Sequence, residues 1–232
     1  MLFGKTGLSI GATHVSAQRS YIIAEIGNNH NGSFDRAIAM IDFCHRIGVD
    51  CVKFQLRDLD DLYRKKTLTR SGEDLGTEYV LDILQKYEFD FDSHRKLKEY
   101  CENIGVQYLC TPWDNKSAYK LSQLSLPAYK IASADLTNVP LLKVVASFGK
   151  PMLLSTGMST QHEITKTVEF LNSENCVFVL LHCNSAYPAP LHDINLGLIE
   201  QLKKLHPLVG YSGHERGINV SLAARAMGAC GY

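Results

Sequence analysis

The sequence predicts an α/β fold, and within that class a TIM-type (β/α)8 barrel. Three observations lead there. Short apolar or β-branched runs alternate with amphipathic stretches of about 10–15 residues, the pattern of βαβ units around a parallel sheet. Several of those stretches close on a glycine, at Gly48, Gly105, Gly149 and Gly228, where a helix ends on a left-handed residue. Seven or eight such units fit within 232 residues, the length of one barrel domain. A doubly wound open sheet is the alternative way to arrange the same units.

Taken in order, the first 20 residues read as a short β-hairpin extension placed to plug the barrel bottom. Strands are expected at 21–26 (YIIAEI), 50–55 (DCVKFQ), 106–110 (VQYLC), 128–132 (AYKIA), 151–155 (PMLLS), 177–182 (VFVLLH) and 207–211 (PLVGY), with a further one from 229 onward. Helices are expected at 33–47, 92–104, 115–124, 138–148, 160–172, 193–205 and 216–227. Ser33 is the N-cap of the first helix, and Ile38, Ile41 and Cys44–His45 give it an apolar face toward the sheet. Residues 56–91 are longer than one connection needs and form an excursion over one face, with a short helix near 77–87. The charged run 57–66 within them reads as a solvated face.

Composition narrows the function. Lys+Arg and Asp+Glu both number 24, so the chain lacks the basic excess of a nucleic-acid binder. No apolar run approaches the roughly 18 residues that span a bilayer, and the N-terminal stretch lacks the apolar core of a secretory leader. A cytoplasmic protein with no membrane partner is expected. The seven cysteines are scattered, include no CxxC pair and lie mostly in apolar segments, which favours reduced thiols over disulfides or zinc.

In a parallel barrel the strand C-termini and the loops after them form the functional face. The expected strands deliver to it Glu25 and the NNHNG turn, Lys53 and Gln55, then Thr111, Pro112, Trp113 and Asp114. Lys130, Ser133 and Asp135 follow, then Ser155 and Thr156, then His182, Asn184, Ser185 and Tyr187, and last Ser212, His214 and Glu215. Two lysines inside strands are the anomaly, because an ammonium leaves water at a cost unless it is paired. One reading is a structural salt bridge with Glu25 or Asp135. The other is a pair of cations, ringed by the hydroxyls of Thr111, Ser133, Ser155 and Ser212, that takes a small polyanion such as a phosphorylated carboxylate. A Schiff-base aldolase would also place a lysine at a strand end, but needs only one. His214, in a glycine turn after a strand, suits a metal or acid–base role. His182 lies within an apolar strand and reads as a core histidine; His45, His94, His162, His192 and His206 have no special setting. Trp113 is placed to wall the pocket.

The motifs YIIAEIGNNHNG, DCVKFQ, YLCTPWD, YKIASAD, KPMLLSTGM, LLHCNSAYPAP and GYSGHERG, in this order, resemble the sialic acid synthase family. That family includes N-acetylneuraminate, legionaminic and pseudaminic acid synthases. The resemblance covers about residues 20–230. It implies a TIM barrel that condenses phosphoenolpyruvate with an N-acylated hexose such as N-acetylmannosamine, giving a nine-carbon 2-keto acid and phosphate. It also implies a divalent metal ion, Mn2+ or Mg2+. By motif, Lys53, Thr111, Lys130, Ser133, Ser155, Asn184 and Ser212 resemble the phosphoenolpyruvate-binding set. Glu25, Gln55, Asp135 and Tyr187 resemble residues around the sugar and reacting centre, and His214 one of two metal histidines. Family chains continue into a last strand with a Glu-(Arg/Lys)-His motif, which gives the second histidine. A small antifreeze-like domain then reaches across a homodimer. The sequence stops at GACGY, so the expectation is a hairpin extension over 1–20 and a barrel domain over 21–232 that ends within strand 8, without that second domain. A non-catalytic phosphoenolpyruvate-binding remnant is the alternative function.

Overall fold

The computed structural model describes residues 7–62 and 84–231. Along them the chain forms β1 (Gly7–Ile10), β2 (Thr13–Ser16), β3 (Ile23–Glu25), α1 (Phe34–Arg46), β4 (Cys51–Leu56), α2 (Leu59–Leu62), α3 (Phe91–Ile104), β5 (Gln107–Pro112) and α4 (Asn115–Ser122). It continues through β6 (Tyr129–Ile131), α5 (Val139–Ala146), β7 (Met152–Ser155), α6 (Gln161–Ser173), β8 (Phe178–Cys183), α7 (Leu198–Lys203), β9 (Val209–Ser212) and α8 (Asn219–Ala226). Single 3-10 turns cover Ser133–Asp135 and Leu191–Asp193. The alternation expected from the sequence is therefore present, and the hairpin β1–β2 pairs antiparallel. Contacts group the chain into two units, Ala24–Leu126 and Met1–Ile23 with Pro127–Tyr232.

In the first unit the strand order is β3-β4-β5. The β4–β5 register is parallel and pairs Lys53 with Leu109 and Gln55 with Thr111. Partnered residues point the same way and neighbours along a strand point opposite ways. Lys53, Gln55 and Thr111 therefore share one face, and Phe54, Tyr108 and Cys110 the other. That second face is an aromatic core. Phe54 stacks on Tyr108 with centroids 5.5 Å apart, and His30 stacks on Phe89 at 3.9 Å. Ser33 caps α1 by accepting from Arg36 N, as expected, and Gly48 follows the helix with φ of 77°. The buried stripe of α1 is Ala37, Ile41 and Cys44 rather than one including Ile38 and His45: Ile38 is half-buried and His45 exposed. The charged run from residue 57 is not solvated throughout, because the Arg57 side chain is only 7% exposed. Of the short helix expected near 77–87, residues 84–87 are helical and the remainder lies outside the described residues.

In the second unit four strands run β6-β7-β8-β9, all parallel. Their register aligns Lys130 with Leu153, Ser155 with Leu181, and Cys183 with Ser212. By the same alternation, Lys130, Ser155, Cys183 and Ser212 occupy one face, and His182 and Tyr211 the other. Residues from 229, expected as a further strand, pair on two sides: Cys230 N donates to Val209 O at 2.8 Å, and Tyr21 N donates to Cys230 O at 3.0 Å. Gly210 permits that approach, since a Cβ there would meet Gly231 O at 2.6 Å. Two helices start later than expected. Asn195 adopts φ of 47° and Gly217 φ of 87°, and left-handed residues interrupt the helical path, so α7 and α8 begin only after them. All seven cysteines are free thiols. Among the described residues no helix is long and apolar enough to cross a membrane.

His94 shows what the aromatic core demands. It is 1% exposed, its Nδ1 bonds the Tyr108 hydroxyl at 2.6 Å, and its Nε2 has no hydrogen-bond partner. Burial, helped by the charge of His30, pulls its pKa from 6.5 to about 4. The folded state then binds fewer protons than the unfolded chain between those values, so stability is full above pH 6.5 and falls as pH drops toward 4. The contribution is about 3 kcal/mol. His30, His182 and His206, also lowered by burial, act with the same sign. Urea denaturation across this range should show His94→Gln, which keeps an acceptor for Tyr108 but does not titrate, losing stability less steeply than the wild type; an equal slope would contradict the assignment.

Candidate active site

Glu25 ends β3, where an apolar strand meets the turn Gly27–Gly32. It forms an ion pair with Lys53 through Oε2, and Gln55 Nε2 donates to its Oε1 at 2.9 Å. Lys53, whose side chain is only 10% exposed, also donates from its ammonium to Thr111 Oγ1 at 3.1 Å. Arg57 donates to Gln55 Oε1, so Thr111, Lys53, Glu25, Gln55 and Arg57 form one chain of contacts. The structural reading of Lys53, an ion pair with Glu25, and the functional one coexist here. The Glu25 side chain is 43% exposed, so the pair keeps one side open to solvent. Gly27 allows this arrangement: with φ of 49°, a Cβ on it would lie 3.0 Å from Glu25 Oε1 and 3.3 Å from Gln55 Nε2. The rest of the turn is structural. His30 is buried, and Gly32 N donates to its Nδ1 at 3.1 Å.

In the other unit, Lys130 is 6% exposed and donates to Ser155 Oγ at 2.5 Å and to Ile131 O at 2.8 Å. Asp135 sits in the 3-10 turn after β6, buried, and accepts from Asn138 Nδ2 at 3.0 Å. Asn184 uses both ends of its amide on the loop after β8, donating to Asp193 O at 3.0 Å and accepting from Ala186 N at 2.9 Å. Tyr187 stacks on His214 with centroids 3.9 Å apart, and its hydroxyl bonds His214 Nε2 at 2.8 Å. His214 Nδ1 bonds Asn184 O at 2.6 Å. A carbonyl only accepts, so Nδ1 carries the proton and the Nε2 lone pair faces Tyr187 in the neutral ring. Ser212 ends β9 on the face shared with Lys130. His182 bonds Ile194 O at 2.6 Å on the opposite face, the core setting expected for it.

Several participants escaped the sequence reading. Cys183 lies 3.9 Å from His214 Nδ1. Burial pushes its thiol up, but the His214 contact, the Ser133 hydroxyl and the nearby charges of His214 and Lys130 outweigh that and hold it below the usual range. His214 is pulled down by burial, yet the Cys183 contact and the Asn184 carbonyl leave it above its ordinary value. With Ser155 paired to Leu181, period-two counting forward from Leu181 places Cys183 on this face. A cavity of about 480 Å3 opens at the ends of β7 and β8, lined by Thr156, Gly157, Asn184 and Ser185 among others. Among the described residues no group of three or more His, Cys, Asp and Glu side chains is arranged to hold a metal ion.

The NeuB family model matches residues 40–231. The N-acetylneuraminate-9-phosphate synthase of Homo sapiens is 37% identical over 90% of the chain and 59% of its own length. The N,N'-diacetyllegionaminic acid synthase of Campylobacter jejuni is 37% identical over 92% of the chain and 66% of its own length. The chain thus spans less than two thirds of either relative. Among solved structures, the N-acetylneuraminic acid synthetase of Leptospira borgpetersenii, in complex with citrate, superposes with a TM-score of 0.88 at 29% identity, over 97% of this chain and 76% of that one.

Gly157 sets a test of how tightly this face is built. A Cβ there would sit 2.4 Å from Ser185 Oγ, 2.8 Å from Ser133 Oγ and 3.1 Å from Cys183 O. Gly157→Ala should cost about 1–3 kcal/mol in urea denaturation. Adding Ser185→Ala should recover part of that loss, and strict additivity of the two changes would count against the packing described.

Proposed function

Because the chain belongs to the NeuB family, we propose that the whole protein condenses phosphoenolpyruvate with an N-acylated amino sugar to give a nonulosonic acid and phosphate. One observation carries this reading. Each unit holds a buried lysine at a strand position, bonded to a hydroxyl: Lys53 to Thr111 and Lys130 to Ser155. An ammonium backed by a hydroxyl donor recognises a phosphorylated carboxylate, and a dry setting strengthens the attraction. Lys53, Thr111, Lys130, Ser133, Ser155 and Ser212 are the groups assigned to phosphoenolpyruvate. Asn184 belongs to the same assigned set and also fixes the loop after β8 through Asp193 O and Ala186 N. Glu25, Gln55, Asp135 and Tyr187 are assigned to the sugar. The chain is read as a (β/α)8-type barrel fold, in keeping with its two parallel sheets and the synthetase superposition.

The chemistry balances with these groups. The C2–C3 π pair of phosphoenolpyruvate forms a bond to the open-chain sugar aldehyde carbon, whose oxygen takes up a proton. Water adds to the resulting cationic C2 and loses a proton. The new C2 hydroxyl gives up its proton and becomes the keto oxygen as the C–O bond to phosphate breaks, and phosphate leaves with that proton. Lys53 and Lys130 offset the anionic charge held through these steps. Glu25, hydrogen-bonded by Gln55 and open to solvent, orients the sugar or takes the proton from water. A divalent metal, Mn2+ or Mg2+, would supply Lewis-acid polarisation of the aldehyde. His214 fits one ligand position, since a metal-binding imidazole commonly donates its other N–H to a backbone carbonyl, as Nδ1 does to Asn184 O. The Tyr187 hydroxyl holds Nε2 in this structure.

Incubation with phosphoenolpyruvate, an N-acylated amino sugar such as N-acetylmannosamine, and Mn2+ should release phosphate and a 2-keto acid in equal amounts. Phosphoenolpyruvate alone should raise the melting temperature, and Lys53→Met or Lys130→Met should abolish that rise and lower turnover by about 100-fold or more. Stabilisation without sugar consumption would favour a binding remnant. Borohydride trapping of a carbonyl substrate on either lysine would favour a Schiff-base aldolase.

A further inference from the structure

Arg57 opens the charged run after β4, where exposure was expected, and is instead held from three sides. Its backbone N donates to Glu88 Oε1 at 2.8 Å and its Nη1 to Glu88 Oε2 at 3.1 Å. Its guanidinium carbon lies 4.5 Å from the Trp113 ring centroid. The Arg57 and Glu88 side chains are 7% and 10% exposed. Its other fork nitrogen, Nη2, donates to Gln55 Oε1. A buried, paired and stacked guanidinium is costly to assemble for a surface role alone.

The geometry points to Arg57 as a positioning residue that fixes which way the Gln55 amide faces. A guanidinium can only donate. Its contact therefore pins the amide oxygen toward Arg57 and leaves the amide nitrogen to donate to Glu25 Oε1. Glu25 Oε2 is then directed to Lys53, which Thr111 holds in turn. Were the amide reversed, its oxygen would face the Glu25 carboxylate, acceptor against acceptor, and the carboxylate would swing away. Glu88 and Trp113 hold the guanidinium so that the fork presents one direction. The effect on turnover rests on the proposed condensation; the orientation of Gln55 does not.

Two readouts separate the two. The first is hydrogen exchange of the Gln55 side-chain amide by 15N NMR. It should be slow in the wild type and at least about tenfold faster in Arg57→Met, because the Nε2–H loses its fixed acceptor. The second is kinetics: Arg57→Met should lower kcat/KM for the amino sugar by about 30–100-fold while KM for phosphoenolpyruvate stays within about twofold. In a Gln55→Leu background the same change should add less than about twofold, since it acts through Gln55. Arg57→Lys, with a point charge in place of the fork, should recover only part of the rate. Arg57→Met/Glu88→Met removes both charges together and serves where the single variant fails to fold. Unchanged amide protection, or an equal rate loss in both backgrounds, would overturn the positioning role. If the wild type turns over no amino sugar, the proposed condensation fails and amide exchange alone decides the role of Arg57.

Discussion

Taking the Lys53 ammonium out of water sets the terms for the strand ends around it. A buried cation is stable only with acceptors in place, and each acceptor needs its own position fixed. Thr111 supplies one from β5, and Glu25 supplies a carboxylate from the end of β3. Glu25 stays in reach because Gln55 holds its other oxygen, and Gln55 is held by Arg57, whose charge Glu88 balances. The requirement travels outward from one residue until it reaches an aromatic stack at Trp113. Gly27 is part of the same constraint, since any side chain there would crowd both Glu25 and Gln55.

The second sheet meets the same requirement by another route. Lys130 is satisfied by Ser155 from the neighbouring strand and by the carbonyl of Ile131. Parallel register makes this possible, because aligned strands place Lys130, Ser155, Cys183 and Ser212 on one face while His182 and Tyr211 serve the other. Polar residues within otherwise apolar strands thus sort by parity onto two faces. His182, on the second face, bonds Ile194 O, lies 5.8 Å from the ring of Tyr211 and also lines the cavity beside Thr156 and Gly157.

Parity also explains what could be read from the sequence. Strands and helices were legible because apolar spacing and terminal glycines act locally. The two strand lysines stood out because burial of charge is exceptional. The helix starts at α7 and α8 were not legible, since Asn195 and Gly217 adopt left-handed angles that depend on the surrounding loop. Arg57 was misread because a charged run is a local pattern, while its burial depends on Glu88 and Trp113, 31 and 56 positions away. The need for glycine at 157 has no local signal in the sequence; only the positions of Ser133 and Ser185 reveal that its missing side chain leaves their room. The use of Asn184 on its own loop likewise depends on where Asp193 lies.

A lysine already ion-paired with a carboxylate raises the question of how it could take an anionic substrate. The asymmetry of the pair gives an answer: Lys53 is 10% exposed and Glu25 43%. Breaking the pair by moving Lys53 would strand a cation in a dry setting, whereas moving Glu25 returns a carboxylate to water. At 4 Å and an effective dielectric near 20, one such contact is worth about 4 kcal/mol before desolvation, so an anion with several charges can compete for it. On the proposed function, Glu25 is the acceptor that holds the ammonium in position until the anionic substrate adds to it. The ion pair with Glu25 and the substrate role proposed for Lys53 therefore use the same ammonium, and neither reading displaces the other.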